Sequence, residues 1–350
     1  MCIREGIAMR EIRTQDAVGH ILCHDITQIV KDEKKGVLFK KGHVVRQEDI
    51  PALLDVGKEH LFVWEKTEGM LHENEAAQVL YEICAGGNMH GTEVKEGKIE
   101  LVADLDGLLK INRKALVAVN SLGEMMIASR HGDFAVKKGD KLAGTRIIPL
   151  VIQEEKMKAA RAAAGAEPVF RILPFHHKKV GIVTTGSEVQ KGRIKDTFTP
   201  VLQEKLAEFP TEVIGQTTPG DDRKQITDDI LRFIEAGADL VLASGGMSVD
   251  PDDRTPGAIK DTGARIVSYG APVLPGAMLL VAYFAHNGKQ IPIIGLPGCV
   301  MYAKRTVFDL VLPRIMADDI VTAEELFALG EGGLCLNCET CTFPNCGFGK

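Results

Sequence analysis

Two groups of residues in this 350-residue chain have types and spacings suited to chemistry. The first is a set of glycine-containing loops in the second half. They are Thr184-Thr185-Gly186-Ser187-Glu188, Ser244-Gly245-Gly246-Met247-Ser248-Val249-Asp250-Pro251-Asp252-Asp253 and Gly295-Leu296-Pro297-Gly298, with a turn at Pro275-Gly276. Glycine lets backbone approach a ligand closely, and successive amides and hydroxyls can hold an anion. Carboxylates stand beside them at Glu188, Asp196, Asp250, Asp252 and Asp253. A site that holds phosphate next to carboxylates needs a divalent cation or a basic substrate to balance charge, and Mg²⁺, which favours oxygen ligands and bound phosphate, is the expected partner. Any one of these loops also reads as a tight strand-to-helix connection, and the three aspartates as an acidic loop before the helix at Thr255. Chemistry is favoured because all the loops follow strand ends of one expected sheet.

The second group is the C-terminal run GLCLNCETCTFPNCGFGK. It spaces Cys335, Cys338, Cys341 and Cys346 as C-x2-C-x2-C-x4-C, while Cys2, Cys23, Cys84 and Cys299 are scattered. Four thiolates this close can complete a tetrahedral Zn²⁺ site or hold an iron–sulfur cluster, and ligand softness does not choose between them. The plainer alternative is four unligated thiols on a tail.

The elements that must position these groups follow from periodicity. Residues 179–184 are a continuous apolar strand, followed by a helix opened by Thr199-Pro200 as N-cap and first turn, with Leu202, Leu206 and Phe209 on one face. A strand at 212–215 precedes a helix that starts at Asp221-Asp222, buries Ile226, Ile230, Phe233 and Ile234, and stops at Gly237. Strands follow at 239–243, 265–268, 278–282 and 292–294, with helices from Thr255-Pro256 to Gly263 and over about 300–312. Strands alternating with helices imply a three-layer α/β/α domain with a mostly parallel sheet, covered on both faces. Residues 1–150 read as a mixed, β-rich region: a small β unit at 36–45, a helix at 47–56, a strand at 61–64, a helix at 73–84, then strand-like segments including ALVAVN. The Ala-rich stretch 151–165 reads as a linking helix, giving an organisation of 1–150, a boundary at 151–177, the α/β domain at 178–316 and a Cys-rich tail at 331–350.

Composition narrows the function. The net charge of -6 and 5% aromatic content argue against a nucleic-acid partner, and no apolar run is long enough to span a membrane. The N-terminal residues lack the apolar stretch of a secretory signal, so a cytoplasmic protein is expected.

The combined motifs TTGSEV, GRIKDT, DLVLASGGMSVDPDDRTPGAI, PVLPGA and IIGLPG resemble the molybdopterin-binding domain shared by molybdopterin molybdotransferases and molybdopterin adenylyltransferases, over about residues 178–316. The resemblance implies a domain that binds the pterin through its terminal phosphate, with Mg²⁺ and an adenylated intermediate. It places Glu188, Asp196 and Asp253 at acidic positions of the family's loops. Thr185, Gly186, Ser187, Ser244, Gly245, Gly246, Ser248, Asp250, Thr255, Pro275, Gly276, Pro297 and Gly298 then line the ligand. Departures stand at Ser187, where aspartate is common, at Leu274 and Ala277, where lysine is frequent, and at Cys299-Val300 in place of Asn-Pro. The molybdotransferase D-G-Y-A motif is missing, as is the small β domain that normally follows. Three functions remain; the first two are a molybdotransferase-like enzyme of molybdenum cofactor assembly, taking molybdopterin or its adenylated form and molybdate, and a non-catalytic molybdopterin carrier or sensor serving a client molybdoenzyme. The third is a metal-tail redox protein with a degenerate pterin domain. The resemblance also implies a homo-oligomer.

Overall fold

The computed structural model describes residues 9–30, 34–64, 68–193, 195–248, 250 and 253–350. Two units form. The first comprises 1–102, 112–130 and 141–170, and the second 103–111, 131–140 and 171–350. This differs from the expected linear organisation in three ways, the first being that residues 103–111 and 131–140 of the expected N-terminal region belong to the second unit. The Ala-rich helix Glu154–Ala164 is part of the first unit, burying Met157, Ala160 and Ala164, so it packs as an ordinary amphipathic element. The tail, in turn, belongs to the second unit.

The first unit opens with strands Met9–Arg13, His60–Trp64 and Ile21–Leu22 in one antiparallel sheet and the hairpin Ile26–Val30 with Lys34–Phe39. Ala17, Leu22, Ile26, Leu53, Leu61 and Val63 form its core. A second antiparallel sheet runs in the order Met125–Ser129, Lys141–Ile147, Lys98–Ala103 and Met89–Gly91. The expected helix at 73–84 is observed as Glu73–Cys84, capped at both Asn74 N and His72 N by a His72/Glu75 capping box. ALVAVN, expected as a strand, lies in the helix Arg113–Asn120. Asn112 caps it by accepting from Ala115 N at 3.1 Å, and burial falls on Ala115 and Val119, four residues apart. Alternation therefore never develops, and Val117 stays 63% exposed.

The second unit carries the legible α/β pattern. In chain order its main elements are β1 Lys178–Thr184, α1 Phe198–Leu206, β2 Thr211–Thr217, α2 Arg223–Glu235, β3 Leu240–Ser244, α3 Thr255–Asp261, β4 Arg265–Tyr269, β5 Leu280–His286, β6 Lys289–Leu296 and α4 Val307–Met316. The sheet order is β2-β1-β3-β6-β5-β4. The first four strands are parallel, and β5 runs antiparallel to both neighbours. Side chains alternate across it. Val180, Ile182, Leu240 and Leu242 pack with Leu202 and Leu206 of α1 and Phe308 and Val311 of α4. Val183, Val241 and Ala243 pack with Ile226, Ile230 and Phe233 of α2 and Ile259 of α3. Both faces are thus dry, which is why the strands read as unbroken apolar runs.

Two helix starts differ from expectation. Thr199 does not cap α1 but lies within it, buried. Asp196 serves instead, accepting from Phe198 N at 2.8 Å and Thr199 N at 3.2 Å. The helix expected from about 300 begins at Val307, because Thr306 and Asp309 form its capping box and Gly298–Met301 makes only a 3₁₀ turn. Among the described residues no helix is long and apolar enough to cross a membrane.

Candidate functional site

In a parallel sheet every strand delivers its carboxyl end to the same edge. Here β1, β2, β3 and β6 end at Thr184, Thr217, Ser244 and Leu296. Because Leu280 pairs with Gly295, the Pro275-Gly276 turn that enters β5 lies at this edge too. The expected loops are therefore collected along one border.

One amide and two hydroxyls knit the first two loops. Thr185 N donates to Ser244 O at 2.7 Å, and Thr255 Oγ1 donates to Gly245 O at 2.8 Å. That leaves Thr185 Oγ1, 3.2 Å away, to donate to Thr255 Oγ1. Thr185 and Thr255 are buried. Gly245 sits at φ +86°, and a Cβ there would stand 2.5 Å from Thr185 O, so the loops touch only because this residue has no side chain. Ser244 is fully buried, yet its hydroxyl has no hydrogen-bond partner, and neither does the Thr217 hydroxyl at the end of β2. An unpaired buried hydroxyl is destabilising by about 1–3 kcal/mol, so a ligand group able to pair with it gains what folding alone leaves unsatisfied.

The carboxylates are differently employed. Asp196, besides capping α1, accepts from Thr199 Oγ1 at 2.6 Å and Gln216 Nε2 at 2.6 Å. Asp221 holds Ser187 twice, through its N at 2.9 Å and its Oγ at 2.5 Å. Asp253 Oδ2 accepts from Asp250 N at 3.2 Å and Asp253 N donates to Asp250 O at 3.0 Å, closing a turn between the two. Asp252 lies outside the described residues, as does Cys2. Glu188 is exposed on the helical turn Ser187–Gln190. Among the described residues no three acidic, His or Cys side chains converge in a metal-holding group. Mg²⁺ commonly takes only one or two protein carboxylates and fills the rest with phosphate oxygens and water. The oxygen chemistry of Asp250 and Asp253 fits that mode of binding, whereas both oxygens of Asp196 are already taken by hydrogen bonds.

On the rim, Val307 N donates to Pro275 O at 3.1 Å, tying the Pro-Gly turn to α4. Pro297 is buried, Gly298 and Ser248 are exposed, and burial raises the Cys299 thiol pKa. Tyr269, which sequence reasoning missed, donates to Met247 O at 2.9 Å and Ser248 O at 3.1 Å. Burial, and secondarily the negative charge of Asp253, push its phenol pKa up, so it remains a donor that braces the Ser-Gly-Gly loop. Asp221 was legible only as a helix-start charge. Its grip on Ser187 depends on the distance between two loops, which sequence does not display.

The four tail cysteines, expected as a metal set, are not gathered. Cys335 and Cys346 are half-buried against the apolar core, whereas Cys338 and Cys341 are exposed.

Residues 181–317 match the model of a probable molybdopterin binding domain, and residues 11–65 match a domain of unknown function, DUF8806. A molybdopterin molybdenumtransferase of Synechococcus elongatus is 27% identical over 203 residues, covering 53% of this chain and 47% of that protein. A CinA-like protein of Mycobacterium leprae is 36% identical over 77 residues, covering 22% of this chain and 18% of its own. This chain thus spans less than half the length of these relatives. Among solved structures, the molybdopterin biosynthesis enzyme MoaB of Thermus thermophilus is 25% identical, covering 39% of this chain and 91% of that one, with a TM-score of 0.32. Residues 181–317 are therefore similar to a probable molybdopterin binding domain, the family that the motifs resemble. The chain that carries this domain is similar over about half its length to a molybdopterin molybdenumtransferase.

Proposed function

We propose that this protein binds molybdopterin at the carboxyl edge of the parallel sheet and acts in molybdenum cofactor biosynthesis. One observation carries the reading: the Thr-Gly, Ser-Gly-Gly and Pro-Gly loops lie along one edge of a domain matched to probable molybdopterin binding, around a buried and unpaired Ser244 hydroxyl. In this reading Gly186, Gly245, Gly246 and Gly298 present backbone to the terminal phosphate, and Ser187, held by Asp221, fixes the turn beside it. Ser244 and Ser248 supply hydroxyls, Thr185 and Thr255 hold the loops, and Pro275-Gly276 and Pro297 shape the rim. Mg²⁺, when bound, would neutralise charge between the phosphate and Asp250 or Asp253, while Asp196 orders the start of α1. Glu188, exposed on its turn, would orient the ligand or move a proton. If the protein turns over, it is a molybdotransferase-like enzyme whose work is positioning and charge neutralisation in phosphoryl or nucleotidyl transfer, with the adenylated pterin and molybdate as substrates. It would work as a homo-oligomer.

The occupied state of Asp196 and Asp221 favours a second reading, a carrier or sensor that holds molybdopterin for a client molybdoenzyme without turnover. The test is binding by Asp253→Asn under anaerobic conditions, compared with the unmodified protein, followed by ATP- and molybdate-dependent turnover. Weaker pterin binding in the variant supports the site, and unchanged affinity removes Asp253 from it. Turnover then separates enzyme from carrier.

A further inference from the structure

The C-terminal segment has a second chemistry that pterin binding does not use. Its ends are pinned together: Gly349 N donates to Gly332 O at 2.9 Å. Its entry is tied to the rim, since Leu274 N donates to Gly333 O and Cys335 N to Leu274 O, both at 2.8 Å. Its exit is anchored by Phe348, 4% exposed, whose ring lies 6.2 Å from that of Phe343, itself 5.9 Å from Phe134. Arg305 stacks over Phe343 at 5.1 Å. Cys335 and Cys346 lean on the apolar core at this base. Between them, residues 336–342 are exposed and form no helix or strand. Cys338 and Cys341 ride on this arm, although cysteine is among the residue types most often buried. The arm's named tethers are slight: Lys304 Nζ to Glu339 O at 2.7 Å and a turn from Asn345 N to Thr342 O at 2.7 Å.

We propose that this closed loop is a cysteine-thiolate metal site, taking Zn²⁺ or a small iron–sulfur cluster, completed when the arm folds back onto its base. Two residues separate Cys335 from Cys338 and Cys338 from Cys341, the knuckle spacing of structural thiolate sites. Three residues of chain reach about 10 Å, enough to hold the thiols apart, as here, or to turn them onto one centre. A loop of this size buries too little to order its arm by packing alone, which is where a metal contributes folding free energy. Binding converts the four thiols to thiolates and releases their protons to solvent; with Zn²⁺ nothing is oxidised or reduced. For a cluster, ferrous or ferric iron and inorganic sulfide are the co-reactants.

The experiment uses the full chain, purified anaerobically, reduced and stripped of metal. One arm titrates Co²⁺ as a spectroscopic stand-in and displaces it with Zn²⁺. The other adds iron and sulfide and follows visible absorption and electron paramagnetic resonance. One arm is expected to give a thiolate-ligated centre. Its affinity should fall roughly 10- to 100-fold or more in Cys338→Ser and in Cys341→Ser. Both of these positions are exposed, and circular dichroism verifies their fold. Cys84→Ser, a buried thiol elsewhere, should keep it. A protein that gives no thiolate signature in either arm, or variants that keep full affinity, would overturn the proposal.

Discussion

The closeness of the Thr-Gly and Ser-Gly-Gly loops can be measured with one methyl group. At Gly245 an added Cβ would lie 2.5 Å from Thr185 O and 2.7 Å from Thr185 Oγ1. The first of these is backbone and cannot swing aside, so one loop has to move. A non-glycine residue in the left-handed region costs about 1–2 kcal/mol, and overpacking adds about 1–3 kcal/mol, so Gly245→Ala is expected to lose about 2–5 kcal/mol. Gly237 provides the internal control. Its φ is +89°, but nothing lies within 4 Å of the added Cβ, so Gly237→Ala carries only the strain of about 1–2 kcal/mol. Urea denaturation with equal m values reads both, and the difference of about 1–3 kcal/mol belongs to the loop contact. Gly245→Ala should also weaken pterin binding, because Gly245 O is the acceptor for Thr255 Oγ1. Equal losses in the two variants would refute the loop apposition on which the site rests.

Four further outcomes follow. Asp309→Ala should lower stability by about 3–5 kcal/mol in urea denaturation, since it strands Lys205 Nζ, buried and 2.7 Å and 2.9 Å from the carboxylate oxygens. Asp221→Ala should loosen the Ser187 turn and weaken pterin binding, at a stability loss of about 1–3 kcal/mol, because the Ser187 amide loses its acceptor. Burial pushes the Cys84 thiol up to about 12. Above pH 9 the unfolded chain then binds fewer protons than the folded one, so stability falls as pH rises toward 12, and the slope should flatten in Cys84→Ala. Metal loading of the tail should slow amide exchange at Leu274 and Cys335, the residues that join tail to rim, and unchanged exchange there would separate the metal site from the ligand loops.

The α/β unit was legible because its strands are buried on both faces and its helices carry strong local signals. Asp222 caps α2 by accepting from Gln225 N at 2.9 Å, and Pro256 stands in the first turn of α3, both readable from neighbouring residues. The loops of the site followed from the strand ends. What failed depended on choices between competing local signals. Asp196 and Thr199 both qualify as caps of α1, and the buried contact of Thr199 with Thr184, at 3.2 Å between hydroxyls, draws Thr199 inside. At 113–120 the apolar run fits a strand or a helix equally, and the Asn112 cap decides it. Tyr269 and Asp221 act across 22 and 34 residues of sequence, where no local pattern points. The tail spacing was plain, but whether its thiols meet is a tertiary matter.

The central claim, a pterin site at the sheet edge, is tested most directly by anaerobic titration of the purified full chain with molybdopterin, with and without Mg²⁺. The account predicts saturable binding at roughly micromolar or better Kd, equivalent to about -8 kcal/mol, tightened by Mg²⁺. Absence of binding in every condition would contradict it, and would mean that this fold presents its loops to a different ligand.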